Sequence, residues 1–255
     1  VGAANVIRSN YQAVMMAPTE ILAKQHYDLA KKIFASSDLQ VEFLTGKTKS
    51  KDKKIIQNDL LNGKINFLIG THAVFQKNII FKKLGLAIID EQHKFGVKQR
   101  IELSNKGGKE CDILLMSATP IPRTLVMAVY GDMDVSRLVE KPMNRKEIIT
   151  LSKPEEKIDE ILLFIKKQIE NGNQIFWVCP LIEESKKLDY SAAIKKFNSL
   201  SKKFFDKVGL IHGSLEKNKK DEVLLKFLNK KIDILVSTTV IEVGIDFPNA
   251  NVIII

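Results

Sequence analysis

The sequence predicts an α/β fold of two parallel-sheet domains in tandem, and three observations carry that reading. Short apolar runs alternate with longer stretches of helical period, the pattern of βαβ units. The alternation breaks at one polar stretch interrupted by proline and then restarts. Several apolar runs end in hydroxyl or carboxylate clusters rather than in the tight two-residue turns of hairpins.

In chain order, strands are expected at Ala13 to Ala17, Val41 to Thr45, Phe67 to Gly70, Leu86 to Asp90 and Ile113 to Ser117. Helices are expected between them, at Glu20 to Ala35 and Lys51 to Asn62. The segment Glu140-Lys141-Pro142-Met143-Asn144-Arg145-Lys146-Glu147 carries no apolar period and marks the boundary, giving domains at 1–145 and 146–255. Beyond it, strands are expected at Ile148 to Leu151, Ile175 to Cys179, Val208 to His212, Ile234 to Ser237 and Val252 to Ile255. Helices are expected around Glu155 to Asn171 and Asn218 to Asn229.

A chain of 255 residues with 45% hydrophobic content is long and apolar enough for one large or two modest cores. Its 13 glycines and seven prolines follow no period, which excludes collagen-like and low-complexity classes. No apolar run approaches the roughly 20 residues of a membrane span, so a soluble, cytoplasmic protein without a membrane partner is expected. Cys111 and Cys179 stand apart from each other and from any histidine pair, which argues against zinc and a disulfide framework and for buried thiols in a reducing compartment. His26, His72, His93 and His212 lie in four separate blocks.

The chemistry begins at Ile88-Ile89-Asp90-Glu91-Gln92-His93, an apolar strand running into two carboxylates, an amide and an imidazole. In an open parallel sheet, ligands sit outside the carboxyl ends of the strands. Hard carboxylate oxygens there suit a magnesium ion bridging nucleotide phosphates, for which Asp90 and Glu91 are the candidate ligands, with Glu91 also able to orient or deprotonate an attacking water. Gln92 and His93 are placed to report the state of the phosphate to neighbouring loops. Taken alone, a strand-end acid pair is better explained by a helix cap or a solvated turn. Its company argues otherwise: Ser117-Ala118-Thr119-Pro120 and Ser237-Thr238-Thr239 also follow apolar runs. Thr119 before Pro120 additionally fits a helix N-cap.

With these blocks in view, the chain resembles superfamily 2 helicases, and within them the RecG family of bacterial branched-DNA helicases. Six blocks in order carry the resemblance: Ala17 to His26, Gly70 to Val74, Asp90 to Arg100, Ser117 to Leu125, Trp177 to Ser185 and Thr238 to Asp246. It implies two RecA-like domains, ATP and Mg2+ as cofactors, branched DNA (forks and Holliday junctions) as partner, and a monomer. By the same resemblance, Asp90, Glu91, Gln92, His93, Ser117 and Thr119 are the catalytic set, Ser117 and Thr119 coupling the ATP and DNA sites through His93. Gly244 and Asp246 would approach ATP from the second domain. Pro18, Thr19, Thr45, Gly46, Thr71 and His72 would hold the nucleic-acid strand on the first domain, and His212, Gly213, Thr238 and Thr239 on the second. The transcription-repair translocase Mfd shares the block around Arg123, whose role stays open, but differs in the acid and amide order after the strand.

Two parts of the family pattern do not occur in the 255 residues: a G-x-x-x-x-G-K-[ST] phosphate loop, and an arginine-rich final motif. Gly46-Lys47-Thr48 ends like the loop, but Val41 stands where its first glycine belongs. Both RecA-like domains are therefore expected to be truncated, the segment being internal to a longer protein and inactive alone, or else a catalytically silent nucleic-acid-binding remnant. The net charge of +10 fits a polyanionic partner. The run Lys47, Lys49, Lys51, Lys53 and Lys54 follows Thr45-Gly46 and is read as DNA-facing. The runs Lys195, Lys196, Lys202, Lys203 and Lys217, Lys219, Lys220 read better as solvated helix faces.

Overall fold

The computed structural model describes residues 1–91, 111–118, 134–140, 147–179, 186–238 and 245–255, apart from the side chains of 186–190 and Lys217. The chain forms two compact units, Val1–Ala118 with Val240–Phe247, and Thr119–Thr239 with Pro248–Ile255. The expected boundary at 145 lies outside the described residues.

The first unit runs α1 (Gly2–Arg8), β1 (Gln12–Met16), α2 (Glu20–Ile33), β2 (Val41–Leu44), α3 (Ser50–Leu61), β3 (Phe67–Gly70), a 3-10 turn (His72–Phe75), β4 (Leu84–Ile89) and β5 (Asp112–Leu115). The strands form one sheet in the order β2-β3-β1-β4-β5, with every neighbouring pair parallel. Strand alternation sends Val14 and Met16 of β1 into one layer, with Ile56 and Leu60 of α3. Ala13 and Met15 enter the other, with Ala3 and Ile7 of α1 and Ala30 of α2. Leu44, Leu60, Leu68 and Ile69 are fully buried. Each such side chain contributes roughly 1.5–3 kcal/mol relative to exposure.

Local chemistry sets the element ends. Thr19 caps α2, its Oγ1 accepting from Leu22 N at 3.2 Å, with Glu20 in the first turn and Lys31 and Lys32 in the last, the arrangement a helix dipole favours. Gly70 ends β3 where a Cβ would lie 1.8 Å from the Leu44 carbonyl oxygen, so any side chain there would force the strands apart.

The second unit runs α4 (Ile158–Glu170), β6 (Gln174–Val178), α5 (Lys186–Phe204), β7 (Val208–Ile211), α6 (Lys217–Leu228), β8 (Ile234–Ser237) and β9 (Ala250–Ile254). Its sheet is ordered β7-β8-β6-β9, again parallel throughout. Ile175, Trp177, Ile234 and Val236 share a core with Ile165, Ala193 and Leu200 of α4 and α5. On the opposite face, the Phe176 and Phe227 rings pack with centroids 5.0 Å apart.

One device recurs in both sheets. Gln12 opens β1 and is buried, its Nε2 donating to Leu60 O at 2.9 Å and Ile65 O at 2.8 Å while its Oε1 accepts from Lys83 N at 3.0 Å. Gln174 opens β6 in the same way, its Nε2 donating to Phe227 O at 2.6 Å and Ile232 O at 2.8 Å. Each amide ties the end of a crossover helix, and the residues that follow it, to the central strand. In both sheets the register shifts directly after the glutamine.

The parallel α/β architecture in two units agrees with the sequence reading, with three differences. Ile148 to Leu151 is not a strand; Ile148, Ile149 and Leu151 are 76%, 81% and 76% exposed, and the run joins neither sheet, so its β-propensity goes unused for lack of a ladder partner. Helix α1 was not anticipated, and α5 was read only as a solvated lysine face. The seam of α5, Ala193, Phe197, Leu200 and Phe204, has helical spacing but is masked by the surrounding lysines. Finally, Cys111 and Cys179 are half-buried rather than fully buried; burial raises both thiol pKa values, which keeps them protonated and unreactive.

Replacing Gln12 by leucine leaves two buried carbonyls and one amide without their partner. Gln12→Leu is expected to cost about 2–4 kcal/mol, read as a lowered urea midpoint at unchanged m-value; a loss below about 0.5 kcal/mol would contradict the role given to this side chain.

Candidate functional site

Because every pairing is parallel, the carboxyl ends of all strands in a sheet lie along one edge. The register makes this concrete in the first unit: Met16 aligns with Gly70 and Ile89, Leu44 with Gly70, and Ile89 with Leu115. The residues that follow therefore share that edge, which brings together Pro18 and Thr19, Thr45 and Gly46, Thr71 and His72, Asp90 and Glu91, and Ser117. The connection from β1 leads towards β2 while that from β4 leads towards β5, so the order reverses between β1 and β4. That is the switch point at which doubly wound sheets open a crevice.

Asp90 and Glu91 stand at this switch point. The Asp90 amide donates to Met16 O at 2.9 Å, fixing the strand end to β1. The Asp90 carboxylate accepts twice, from Glu91 N at 2.9 Å through Oδ1 and from His26 Nε2 at 2.7 Å through Oδ2. A carboxylate only accepts, so the His26 Nε2 carries the proton. Glu91 is 4% exposed and has φ +51°. A left-handed backbone costs a non-glycine residue roughly 1–2 kcal/mol, and such strain concentrates at working sites.

The hydroxyls at the same edge are engaged locally. Thr19 caps α2. Thr45 Oγ1 accepts from Lys47 N at 3.2 Å while Thr45 N donates to Thr48 Oγ1 at 3.0 Å, a closed turn that keeps Gly46 exposed. Thr71 is buried and precedes the 3-10 turn that begins at His72, which is exposed. Ser117 is exposed one residue beyond Met116, whose amide donates to Ile89 O. Of the first lysine run, Lys47 pairs with Glu20 at 3.0 Å and Lys53 bonds Gln76, while Lys49, Lys51 and Lys54 are exposed.

The second unit repeats the arrangement. Val178 and Ile211 both align with Ser237, so His212, Gly213 and Thr238 meet at one edge, with Thr238 N donating to Ile211 O at 3.3 Å. Lys220, on the first turn of α6, donates to Gly213 O at 3.0 Å, which sets an ammonium beside His212. Burial and then the Lys220 charge hold the His212 pKa below its ordinary value near 6.5. Lys196, by contrast, lies over the Trp177 ring at 4.5 Å and Lys203 pairs with Asp159 at 3.4 Å. Both contacts suit a structural role for that lysine run.

Asp246 is exposed, and its backbone pairs reciprocally with the Gln25 side chain, at 2.9 Å from Gln25 Nε2 and 3.2 Å to Gln25 Oε1. Gln92, His93, Thr119, Thr239 and Gly244 lie outside the described residues. Three polar roles were missed in the sequence. Gln12 and Gln174 carry a readable signal, a lone amide at the head of an otherwise apolar run. His26 as the Asp90 partner had none, since 64 residues separate the two.

The donor set fits magnesium. Among the described residues no three His, Cys, Asp or Glu side chains cluster as a full metal cage. Magnesium in nucleotide sites is held by one or two carboxylates, with water and phosphate completing the shell, which matches Asp90 and Glu91.

Comparison with known proteins agrees with this geometry. A DEAD/DEAH box helicase model matches residues 2–128, and a helicase conserved C-terminal domain model matches residues 153–255. The ATP-dependent DNA helicase RecG of Thermotoga maritima is 49% identical over 249 residues, 97% of this chain and 32% of the relative. RecG of Bacillus subtilis is 48% identical over 251 residues, 98% of this chain and 37% of the relative. The solved structure of RecG bound to a three-way DNA junction superposes with a TM-score of 0.78 at 45% identity, covering 95% of this chain and 31% of that one. The two units are thus two RecA-like domains of the helicase class, in the order of the two matched models. Within that class the chain belongs to the RecG family, and it spans about a third of the length of the relatives it matches.

The lowered His212 pKa has a consequence for stability. The folded state prefers the neutral ring, so the stabilisation is present above the ordinary value near 6.5 and is lost as the pH falls through the lowered folded value. The urea midpoint is expected to drop between pH 7.5 and pH 5, with a shallower drop in His212→Asn; an unchanged slope in the variant would refute the assignment.

Proposed function

We propose that this chain is the motor segment of an ATP-dependent DNA helicase that remodels branched DNA, stalled forks and Holliday junctions, during recombination and repair. The observation that carries the reading is the likeness, at 45% identity and over 95% of this chain, to RecG bound to a three-way DNA junction. In this reading the motor acts as a monomer in the bacterial cytoplasm. Among the described residues no helix is long and apolar enough to cross a membrane. The domain boundary is kept at 145, between the two matched helicase models.

Asp90 and Glu91 would hold Mg2+ at the β1/β4 switch point, where the ion would supply positive charge to offset that of the ATP phosphates. Glu91, whose backbone is left-handed, would orient the attacking water. Gln92, His93, Ser117 and Thr119 relay the state of the site, while Gly244 and Asp246 approach the nucleotide. Pro18, Thr19, Thr45, Gly46, Thr71 and His72 track one DNA strand through backbone phosphates, and His212, Gly213, Thr238 and Thr239 do so in the second unit. These contacts are insensitive to sequence. The exposed Lys49, Lys51 and Lys54 add counter-charge, so affinity falls steeply with salt.

No G-x-x-x-x-G-K-[ST] loop occurs in the 255 residues, so this polypeptide by itself is expected to hydrolyse no ATP above background, with or without branched DNA. A longer protein that includes this chain and such a loop is expected to show DNA-stimulated turnover, falling at least about 100-fold in Asp90→Asn and Glu91→Gln. Turnover by the 255 residues alone, or full activity in either variant, would overturn the assignment.

A further inference from the structure

We propose that His26 is a positioning residue for Asp90, holding the carboxylate in the orientation that presents its free lone pairs to a divalent cation. The inference rests on the reading of Asp90 as a cation ligand, and it adds a residue to which neither the residue pattern nor the family resemblance gave a role.

The contact joins two elements distant in sequence. His26 lies on α2 and Asp90 follows β4, and the 2.7 Å separation is in the range of charge-assisted hydrogen bonds. Both side chains are mostly sheltered, 24% and 17% exposed, so water competes weakly for the bond. The base of the imidazole is firmly set: α2 is capped by Thr19, and Leu22, Ala23 and Ala30 are buried on its inner side. Lys24, a neighbour on the same helix, is already engaged with Asp28 at 2.6 Å and does not draw on Asp90.

Lone-pair bookkeeping completes the argument. Among the described residues, each Asp90 oxygen accepts one hydrogen bond, Oδ1 from Glu91 N and Oδ2 from His26. An ionised carboxylate has about four acceptor sites, so one on each oxygen remains, directed away from both donors. Without the imidazole, rotation about the Cα–Cβ and Cβ–Cγ bonds would be limited on one side only, and the cation would have to order the ligand as it binds. Second-shell partners of this kind typically alter metal affinity 10- to 100-fold.

The test uses the 255-residue chain and Mn2+ alone, with free Mn2+ followed by its electron paramagnetic resonance signal. Thermal unfolding by circular dichroism checks that each variant folds. Asp90→Asn is expected to remove the tightest site. His26→Ala is expected to weaken that site about tenfold, and His26→Gln, whose Nε2 donor reaches the same oxygen, to restore most of the loss. Should His26→Ala fail to fold, His26→Gln and His26→Asn, whose amide is too short to reach, carry the comparison. If Asp90→Asn removes the site but His26→Ala binds like the parent, or if His26→Gln is as weak as His26→Ala, the positioning role is overturned while the cation site stands. If Asp90→Asn binds Mn2+ as the parent does, the reading of Asp90 as a ligand fails, and the role of His26 with it.

Discussion

Parallel pairing between strands far apart in sequence is the constraint on which everything else in this chain depends. It requires long crossovers, most of them amphipathic helices here, and it buries both faces of the central strands. It also has a directional consequence. All strand ends of one polarity fall on one edge, so residues scattered between Pro18 and Ser117 become neighbours. In the first unit, Met16, Leu44, Gly70, Ile89 and Leu115 are the last rungs of that ladder. The polar residue after each rung is where chemistry is available without disturbing the core.

Holding so many crossovers in register demands polar contacts inside the fold, which are stabilising only when fully satisfied. Gln12 and Gln174 meet that demand at equivalent points of the two sheets, each taking up carbonyls that follow a crossover helix. Their side chains satisfy the tight return from helix to strand from the far, amino-terminal side of the sheet. The carboxyl edge is thereby left to polar groups of a different kind: Asp90 braced by His26, Glu91 on a strained backbone, and His212 beside Lys220. Rigidity at one end of the strands and concentrated charge at the other are two results of the same topology.

Much of this was legible in the residues. The β1, α2, β3 and β8 segments carry clean apolar periods, and their observed limits fall within a residue or two of those read from the pattern. The acids after β4 and the threonines after β2, β3 and β8 were readable as site candidates because ligands of an open parallel sheet sit outside the carboxyl ends of its strands. What could not be read depends on tertiary partners. Ile148 to Leu151 has strand composition but no neighbouring edge, and α5 conceals a regular seam beneath lysines. The His26 contact joins positions that only the fold brings together, so no local pattern could have announced it.

The most direct test of the account is where a divalent cation first binds. Mn2+ titrated into the isotopically labelled chain broadens the amide resonances nearest to it. The account predicts that broadening begins at Asp90, Glu91 and Ala17, next to the β1/β4 switch point, and reaches Thr71 only later. Broadening that begins instead around Glu42, Asp52 and Asp59, acids at the surface between β2 and α3, would contradict it and remove the carboxyl edge as the seat of function.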